Sequence, residues 1–271
     1  RGFFDVPFEE VITTETPGAT IICTLDGSDP RHSENTVIGT SPLTVAIDPY
    51  NITKRPKTPC VIVRAYAKKA GLDETNVDTQ TYIFIESVKR QDSASPGGGW
   101  PVGDRINRQV MIYGMNQSVI NDTRWKDKIS DALKAIPSMS LVASLDDWFD
   151  PSDGLYANPR EQGKKTEIPG SLELINPDGT EGFQVNAGIR IRGGDSSTSR
   201  NPKHAYRLFF RSEYGDGKLK YPLFGNEGVD EFDKIDLRTS QNHSWAFENS
   251  RRNTFLRDIF CRDLQGKSGH Y

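Results

Sequence analysis

Short runs of apolar and β-branched residues recur through the first 85 residues, and turn-forming residues separate them. Pro17-Gly18 and Ala70-Gly71 are typical of such turns, and no helical period interrupts the pattern. The five runs are Val11–Thr14, Thr20–Leu25, Leu43–Ile47, Cys60–Ala67 and Thr79–Phe84. Short strands with frequent turns predict an all-β, immunoglobulin-like sandwich over residues 1–86.

Glycine, serine and proline then dominate residues 93–101, so we predict that residues 87–108 are a linker. The three glycines at 97–99 are not followed by the GK[ST] of a phosphate-binding loop. A second domain over 109–271 mixes helical and strand periods, which predicts an α+β fold.

Two amphipathic patterns in this second region predict helices, at Thr123–Ile136 and at Asn253–Leu264. Asp258 and Arg262 lie four residues apart in the second helix and can pair. Asn176–Gly179 predicts a hairpin turn. The predicted strands are Ser138–Leu145, Ser171–Ile175, Gly182–Asn186, Ala187–Arg192, Tyr206–Arg211 and Ile235–Arg238.

Charge and composition exclude several classes. The 271 residues carry a formal net charge of -3, which argues against a generic nucleic-acid binder. No run of 18 apolar residues predicts a membrane span, and no signal segment opens the chain. The chain starts at Arg1 and stops at Tyr271 directly after a helical pattern, so we expect both ends to be cuts in a longer protein.

The cysteines and histidines are too scattered for a zinc site or a disulfide framework, so no metal site is predicted from them. Cys23 and Cys60 lie in two strand-like runs and can pair, but buried free thiols are the favoured interpretation. Asp146, Asp147, Asp150 and Asp153 lack the spacing of an EF-hand, and an exposed acidic turn is expected there.

One stretch departs from the even charge balance. Between Gly188 and Lys220, eight basic and three acidic residues give a local net charge of +5, and we call this range the cationic segment. Two of its strands are joined by a loop of glycines and hydroxyl residues, Gly193–Pro202, here called the Gly-Ser loop. Close backbone approach, hydroxyl donors and cations suit a polyanion such as a nucleoside triphosphate. An ordinary hairpin surface is the alternative.

Two family resemblances extend these predictions. Ile22–Pro30, Val63–Ala67 and Thr79–Phe84 resemble the chitobiase/hexosaminidase C-terminal-type β-sandwich module. The resemblance covers nearly all of residues 1–85. It implies an accessory or spacer domain of a secreted bacterial protein.

The second resemblance rests on Gly188–Ser197, Pro202–Phe210 and Leu219–Gly225, with supporting stretches from about residue 113 onward. These stretches strongly resemble the spore-coat CotH kinase-like family. The resemblance implies the N-terminal lobe of an atypical kinase, extracellular or at the cell surface, that uses ATP and Mg²⁺ to phosphorylate serine residues of a protein substrate.

The resemblance also implies site residues. The Gly-Ser loop would cover the phosphates, and Lys203 would pair with them. Glu173 is expected to orient Lys203, on the basis of strand adjacency. The expected nucleotide-binding residues are Arg190, Arg192, Gly193, Gly194, Ser196, Ser197, Arg200 and Lys203.

The sequence up to Tyr271 offers no convincing match to the catalytic and metal-binding residues of such a kinase. Phosphoryl transfer needs an aspartate near the attacking hydroxyl and groups that hold Mg²⁺. Asp236, Asp258 and Asp263 are candidates by type only, and we expect them to be solvated or salt-bridged. The catalytic residues are therefore unknown, and the domain is expected to be truncated before its second lobe.

Two rival functions remain open. One is a non-catalytic extracellular scaffold, which predicts Lys203 exposed on a flat face, whereas the kinase hypothesis requires the cationic segment to face a cleft. The other is a carbohydrate-associated surface module with cell-surface glycans as partners. It predicts a row of coplanar exposed rings around Trp148, Phe149 and Tyr156.

Overall fold

The computed structural model describes residues 1–199, 201–240, 252 and 254–269, and it is mostly β, with several sheets and few helices. Seven strands lie in the first 84 residues, and all five predicted runs overlap strands. They are β1 (Gly2–Phe4), β2 (Phe8–Ile12), β3 (Thr20–Thr24), β4 (Val37–Thr40), β5 (Leu43–Ile47), β6 (Cys60–Lys68) and β7 (Asp78–Phe84).

Five of these strands form one sheet in the order β1-β7-β6-β3-β4, and β2 pairs with β5 separately. All pairs are antiparallel except β1 with β7, which is parallel. The buried faces of β3, β6 and β7 pack on β5, where Ile47 is fully buried against Val61 and Tyr82. The ring of Phe4 stacks on Phe8 with centroids 4.4 Å apart.

Cys23 and Cys60 are free thiols, as favoured from the sequence. Burial raises the pKa of Cys23 to about 11 and that of Cys60 to about 12. Both thiols are therefore protonated at neutral pH and have little nucleophilic character, because the thiolate is the reactive form.

A second five-stranded sheet has the order β10-β11-β12-β13-β16, antiparallel throughout. Leu172, Ile189 and Leu208 are fully buried in its core. The strands from this half are β8 (Arg105–Ile106), β9 (Gln109–Val110), β10 (Ser138–Val142), β11 (Ile168–Ile175), β12 (Phe183–Arg192), β13 (Ala205–Phe209), β14 (Leu219–Lys220), β15 (Glu231–Phe232) and β16 (Lys234–Leu237).

The predicted hairpin at Asn176–Gly179 is confirmed, since Leu174 lies opposite Phe183 across the turn. The two strands predicted at Gly182–Asn186 and Ala187–Arg192 are one continuous strand, β12.

The described residues also contain five short helices, and none of them is long and apolar enough to cross a membrane. They are α1 (Ile85–Lys89), α2 (Gln117–Ile120), α3 (Ile129–Leu133), α4 (Leu145–Phe149) and α5 (Arg257–Lys267).

The helix predicted over Thr123–Ile136 is wrong in extent, because only α3 is helical. Asp122 accepts hydrogen bonds from the amide and guanidinium of Arg124, and this local turn competes with helix formation. Trp125 and Ile136 are exposed, so their period of three or four residues does not mark a buried face.

The last predicted helix begins later than expected, at Arg257, and Asn253 lies outside the described residues. Phe255 has a φ of 61°, which is incompatible with a right-handed helix at that position. The predicted pair of Asp258 and Arg262 is present at 3.2 Å, and Arg238 also reaches Asp258 at 2.6 Å. The expectation that Asp258 is salt-bridged is confirmed.

Candidate functional site

The Gly-Ser loop joins β12 to β13 and contains a single 3₁₀ turn at Asp195–Ser197. Gly193 has a φ of 105°, which only glycine adopts without strain. Ser196 donates its hydroxyl to the carbonyl of Arg192 at 2.9 Å, and Ser197 donates to Gly194 at 2.7 Å. Both residues are buried, and each hydroxyl is already bonded to a nearby backbone carbonyl.

His204 supports this loop from the protein interior, a role that sequence analysis missed. It is 3% exposed, its Nδ1 lies 2.7 Å from the carbonyl of Ser196, and its ring packs on Tyr156. Burial lowers the pKa of His204, so the ring is neutral at neutral pH and Nδ1–H donates to that carbonyl.

Glu167 binds the first arginine of the cationic segment. Its carboxylate, 1% exposed, lies 2.5 Å from Arg190 and 3.0 Å from Arg211, and it accepts a hydrogen bond from the hydroxyl of Tyr214 at 2.9 Å. Both guanidinium groups also lie over the ring of Phe209, at 4.5 and 4.8 Å from its centroid. Arg190 is therefore part of an internal ion-pair network, and its charge is compensated.

Asp236 compensates two further arginines of the segment, Arg192 and Arg207. It accepts two hydrogen bonds from Arg207, at 2.6 and 3.0 Å, and lies 3.1 Å from Arg192. The hydrogen bond from Arg207 lowers the pKa of Asp236, so this carboxylate is ionised at neutral pH. The prediction that Asp236 is salt-bridged is confirmed, and Arg192 has a protein partner.

Lys203 is exposed and has no ion pair among the described residues. Gly194 is also exposed, with no other atom within 4 Å of the position where a Cβ would lie. Arg200 lies outside the described residues. Among the described members of the predicted nucleotide-binding set, Arg192, Gly193, Gly194 and Lys203 are exposed, and Arg192 has a protein partner whereas Lys203 has no ion pair.

The prediction that Glu173 orients Lys203 is wrong. Glu173 lies opposite Gln184, whereas Lys203 precedes Ala205, which lies opposite Arg192 at the far end of β12. At about 3.3 Å per residue, the eight positions from Gln184 to Arg192 separate them by roughly 26 Å. Strand order alone suggested adjacency, but register determines which residues meet.

Glu173 instead joins the two sheets. Its carboxylate is fully buried and accepts hydrogen bonds from the amide of Thr81, at 3.1 Å, and from the hydroxyl of Thr81. Arg1 lies 3.5 Å from it. Asn186 adds a hydrogen bond from its side-chain amide to the carbonyl of Val77 at 3.0 Å. The two sheets are therefore in direct contact through buried polar groups.

A cleft of about 760 Å³ lies at this contact, and we call it the junction cleft. One wall is the Asp26–Asp29 turn with Arg64 behind it, and a second is the glycine-rich stretch that ends at Trp100. The third wall runs along β10 and α4 from Leu141 to Trp148. Lys203 and the Gly-Ser loop do not line it.

The aromatic residues near this cleft do not form a row of coplanar rings. Trp148 meets Tyr206 at an interplanar angle of 84°, and Phe149 meets Tyr156 at 71°. Such edge-to-face packing stabilises the domain interior. Of the predicted rings, only Trp148 lines the cleft, where it is joined by Trp100 from the predicted linker.

The acidic residues of the cleft come from both halves of the chain: Asp26, Asp29, Asp146, Asp147 and Glu213. Burial, with the neighbouring charges of Asp146 and Asp153, raises the pKa of Asp147. No group of three or more ligands within reach of one metal ion occurs among the described residues.

Comparison with known proteins adds no relative at this point: no family model, curated protein or solved structure matches the chain.

Proposed function

We propose that these 271 residues form a non-catalytic, extracellular binding module, in which two β-sheets make one scaffold and the junction cleft is the binding site. The observation that carries this proposal is a cleft of about 760 Å³ between two sheets joined by buried hydrogen bonds. Ligand sites typically have volumes of about 300–1,000 Å³ and favour domain interfaces.

The pairing of side chains in the cationic segment with other groups of the protein supports the same proposal. Its arginines at 190, 192, 207 and 211 are paired with Glu167 and Asp236, and the hydroxyls of Ser196, Ser197 and Thr198 donate to nearby backbone carbonyls. A triphosphate would have to compete with these partners. Lys203 is exposed and outside the cleft, as the scaffold hypothesis expects.

Filling the cleft with a bulky side chain tests the proposal. Ser144 lines the cleft and its side chain makes no capping bond to α4, so Ser144→Trp fills space without removing a hydrogen bond. Ser93→Trp, at an exposed position that does not line the cleft, is the matched control.

Thermal-shift screening against neutral oligosaccharides, oligogalacturonates and lysine oligomers should find a ligand that stabilises the wild type and Ser93→Trp but not Ser144→Trp. If no ligand shifts the wild type, or if every shift survives in Ser144→Trp, the proposal is overturned.

A second candidate is the kinase function, favoured by one observation: Lys203, directly after the Gly-Ser loop in the chain, is exposed and has no ion pair among the described residues. In this proposal the parent protein transfers the γ-phosphoryl group of ATP to a serine hydroxyl and releases ADP, with metal and catalytic carboxylates supplied from elsewhere in the parent. Calorimetry of Mg²⁺-ATP with the full-length parent and its Lys203→Ala variant tests it. Binding lost in the variant supports the kinase proposal, and the absence of heat from a folded parent rejects it.

A further inference from the structure

We infer that the junction cleft binds a neutral oligosaccharide, whose hydroxyl groups are shared between Arg64 on one side and aspartates on both walls. This inference rests on the proposed function and names the ligand class of that site. It is carried by the buried guanidinium of Arg64, whose Nε has no hydrogen-bond partner in the described chain, by the carboxylates of Asp146 and Asp147, and by two tryptophans.

Arg64 is the principal donor at the cleft. Its side chain lies in β6 and is only 7% exposed. One terminal nitrogen lies 3.4 Å from the carbonyl of Gly27, the other lies 3.8 Å from Asp29, and Nε has no hydrogen-bond partner in the described chain. A buried guanidinium has five N–H donors and is costly to leave unsatisfied. A ligand oxygen within reach of its terminal nitrogens would therefore be bound favourably.

Carboxylates supply the acceptors. Asp26 accepts hydrogen bonds from the amide and hydroxyl of Ser28, which orders the turn. Asp146 and Asp147 face the same cleft from α4, and no described residue donates a hydrogen bond to either side chain or forms an ion pair with it. They are available to hydroxyl donors from a ligand.

The balance of charges selects the ligand class. An anion would approach Asp26, Asp146 and Asp147, which form no ion pair among the described residues, and a cation would approach Arg64 and Arg31, which line the same cleft. A polyhydroxylated neutral molecule avoids both penalties, because each hydroxyl donates to a carboxylate and accepts from a guanidinium. Charge-assisted hydrogen bonds of this kind are roughly twice as strong as neutral ones.

Trp100 and Trp148 supply the apolar contribution. Both are partly exposed and line the cleft from different chain segments, one in the glycine-rich stretch and one in α4. An indole ring presents a large apolar surface with a polar N–H, which suits a ligand that has both C–H and O–H groups. The cleft therefore offers donors, acceptors and ring surface to one ligand.

Tryptophan fluorescence titration with cellohexaose, maltohexaose and N-acetylated chitohexaose tests the ligand class, with a tri-galacturonate and a penta-lysine as charged comparators. We expect one neutral hexasaccharide to bind and neither charged probe to do so. Asp147→Asn, which keeps shape but removes the acceptor charge, should weaken binding roughly tenfold, because a hydrogen bond to a charged group is lost. Asp131→Asn, at an exposed position outside the cleft, should leave the affinity unchanged.

The failures are distinguishable. If penta-lysine or tri-galacturonate binds and Ser144→Trp abolishes that binding, the cleft is a binding site but the oligosaccharide inference is wrong. If a neutral oligosaccharide binds equally well to Asp147→Asn and Ser144→Trp, the sugar binds elsewhere and the inference is overturned. If no probe of any class binds, both the inference and the proposed function fail.

Discussion

The carboxylate of Glu173 accepts both the amide and the hydroxyl hydrogen of Thr81, a residue 92 positions earlier in the chain. Glu173 lies in β11 of the second sheet and Thr81 in β7 of the first. A buried carboxylate is tolerated only when it is hydrogen-bonded, and here its partners come from the other sheet. The contact therefore makes the stability of each sheet depend on the other.

Thr81→Val should lower the free energy of unfolding by about 1–3 kcal/mol, because a buried carboxylate loses a hydroxyl donor. Thr79→Val is the matched control, since Thr79 is equally buried but its hydroxyl has no partner in the described chain. Urea denaturation of the three proteins measures the difference. Equal losses for both variants would contradict the role given to Thr81.

Glu173 should also make stability fall as pH rises. Burial raises the pKa of Glu173 above its ordinary value of 4.5. At a pH between the ordinary and the raised pKa, Glu173 is ionised in the unfolded chain but protonated in the folded chain. Stability contributed by the protonated form is complete below the ordinary value and is lost as pH rises through the raised pKa. Glu173→Gln imitates the protonated form and should lack this loss.

Urea denaturation between about pH 4 and about pH 8 checks this sign. The wild type should lose more stability over that range than Glu173→Gln does. Parallel curves for the two proteins would show that Glu173 has the same pKa in the folded and unfolded chains.

Glu167→Gln should be among the most destabilising substitutions in the second sheet, by about 3 kcal/mol, because Arg190 loses its counter-charge and Arg211 loses the nearer of its two carboxylates. Glu213→Gln is the control, since Glu213 also reaches Arg211 but its side chain is 47% exposed. We expect a change within about 0.5 kcal/mol for that control. Chemical denaturation that ranks Glu213→Gln as the worse of the two would refute the assignment of Glu167 as the centre of the network.

Gly193→Ala should destabilise the Gly-Ser loop by about 1–3 kcal/mol, because the backbone has a positive φ and an added Cβ would collide with the hydroxyl of Ser196. Gly194→Ala tests the adjacent position, where φ is -86° and nothing lies within 4 Å of the added atom. It should be neutral. Thermal unfolding of the two variants provides the comparison. Similar melting temperatures would argue against the positive φ of Gly193 and its close approach to Ser196.

The strands were largely predictable because strand alternation is a local property. β5 matches its predicted bounds residue for residue, and the Asn176–Gly179 turn falls where its residue types require. The helix over Thr123–Ile136 was not predictable from period alone, since an apolar residue such as Ile136 fits the pattern even though it is 71% exposed. Burial depends on what packs against a face, which the local pattern does not contain.

The site was less predictable for a related reason. Arg190 and Arg207 appear as unpaired cations in the sequence because their partners, Glu167 and Asp236, lie 23 and 29 residues away. Pairing at that separation is determined by strand register. The residues that form the walls of the junction cleft are even further apart in the sequence. Asp29, Trp100 and Asp147 lie on three segments that meet only when the sheets pack.

The parallel pairing of β1 with β7 has a consequence for the order of folding. Gly2 lies opposite Tyr82, so the first strand has no neighbour in its sheet until nearly all of residues 1–84 have been synthesised. In the second sheet, by contrast, β10, β11 and β12 each pair with the next strand along the chain, and such local pairings close quickly. We expect the later half of the chain to form its sheet rapidly, while the chain's first residues are among the last in their sheet to become ordered.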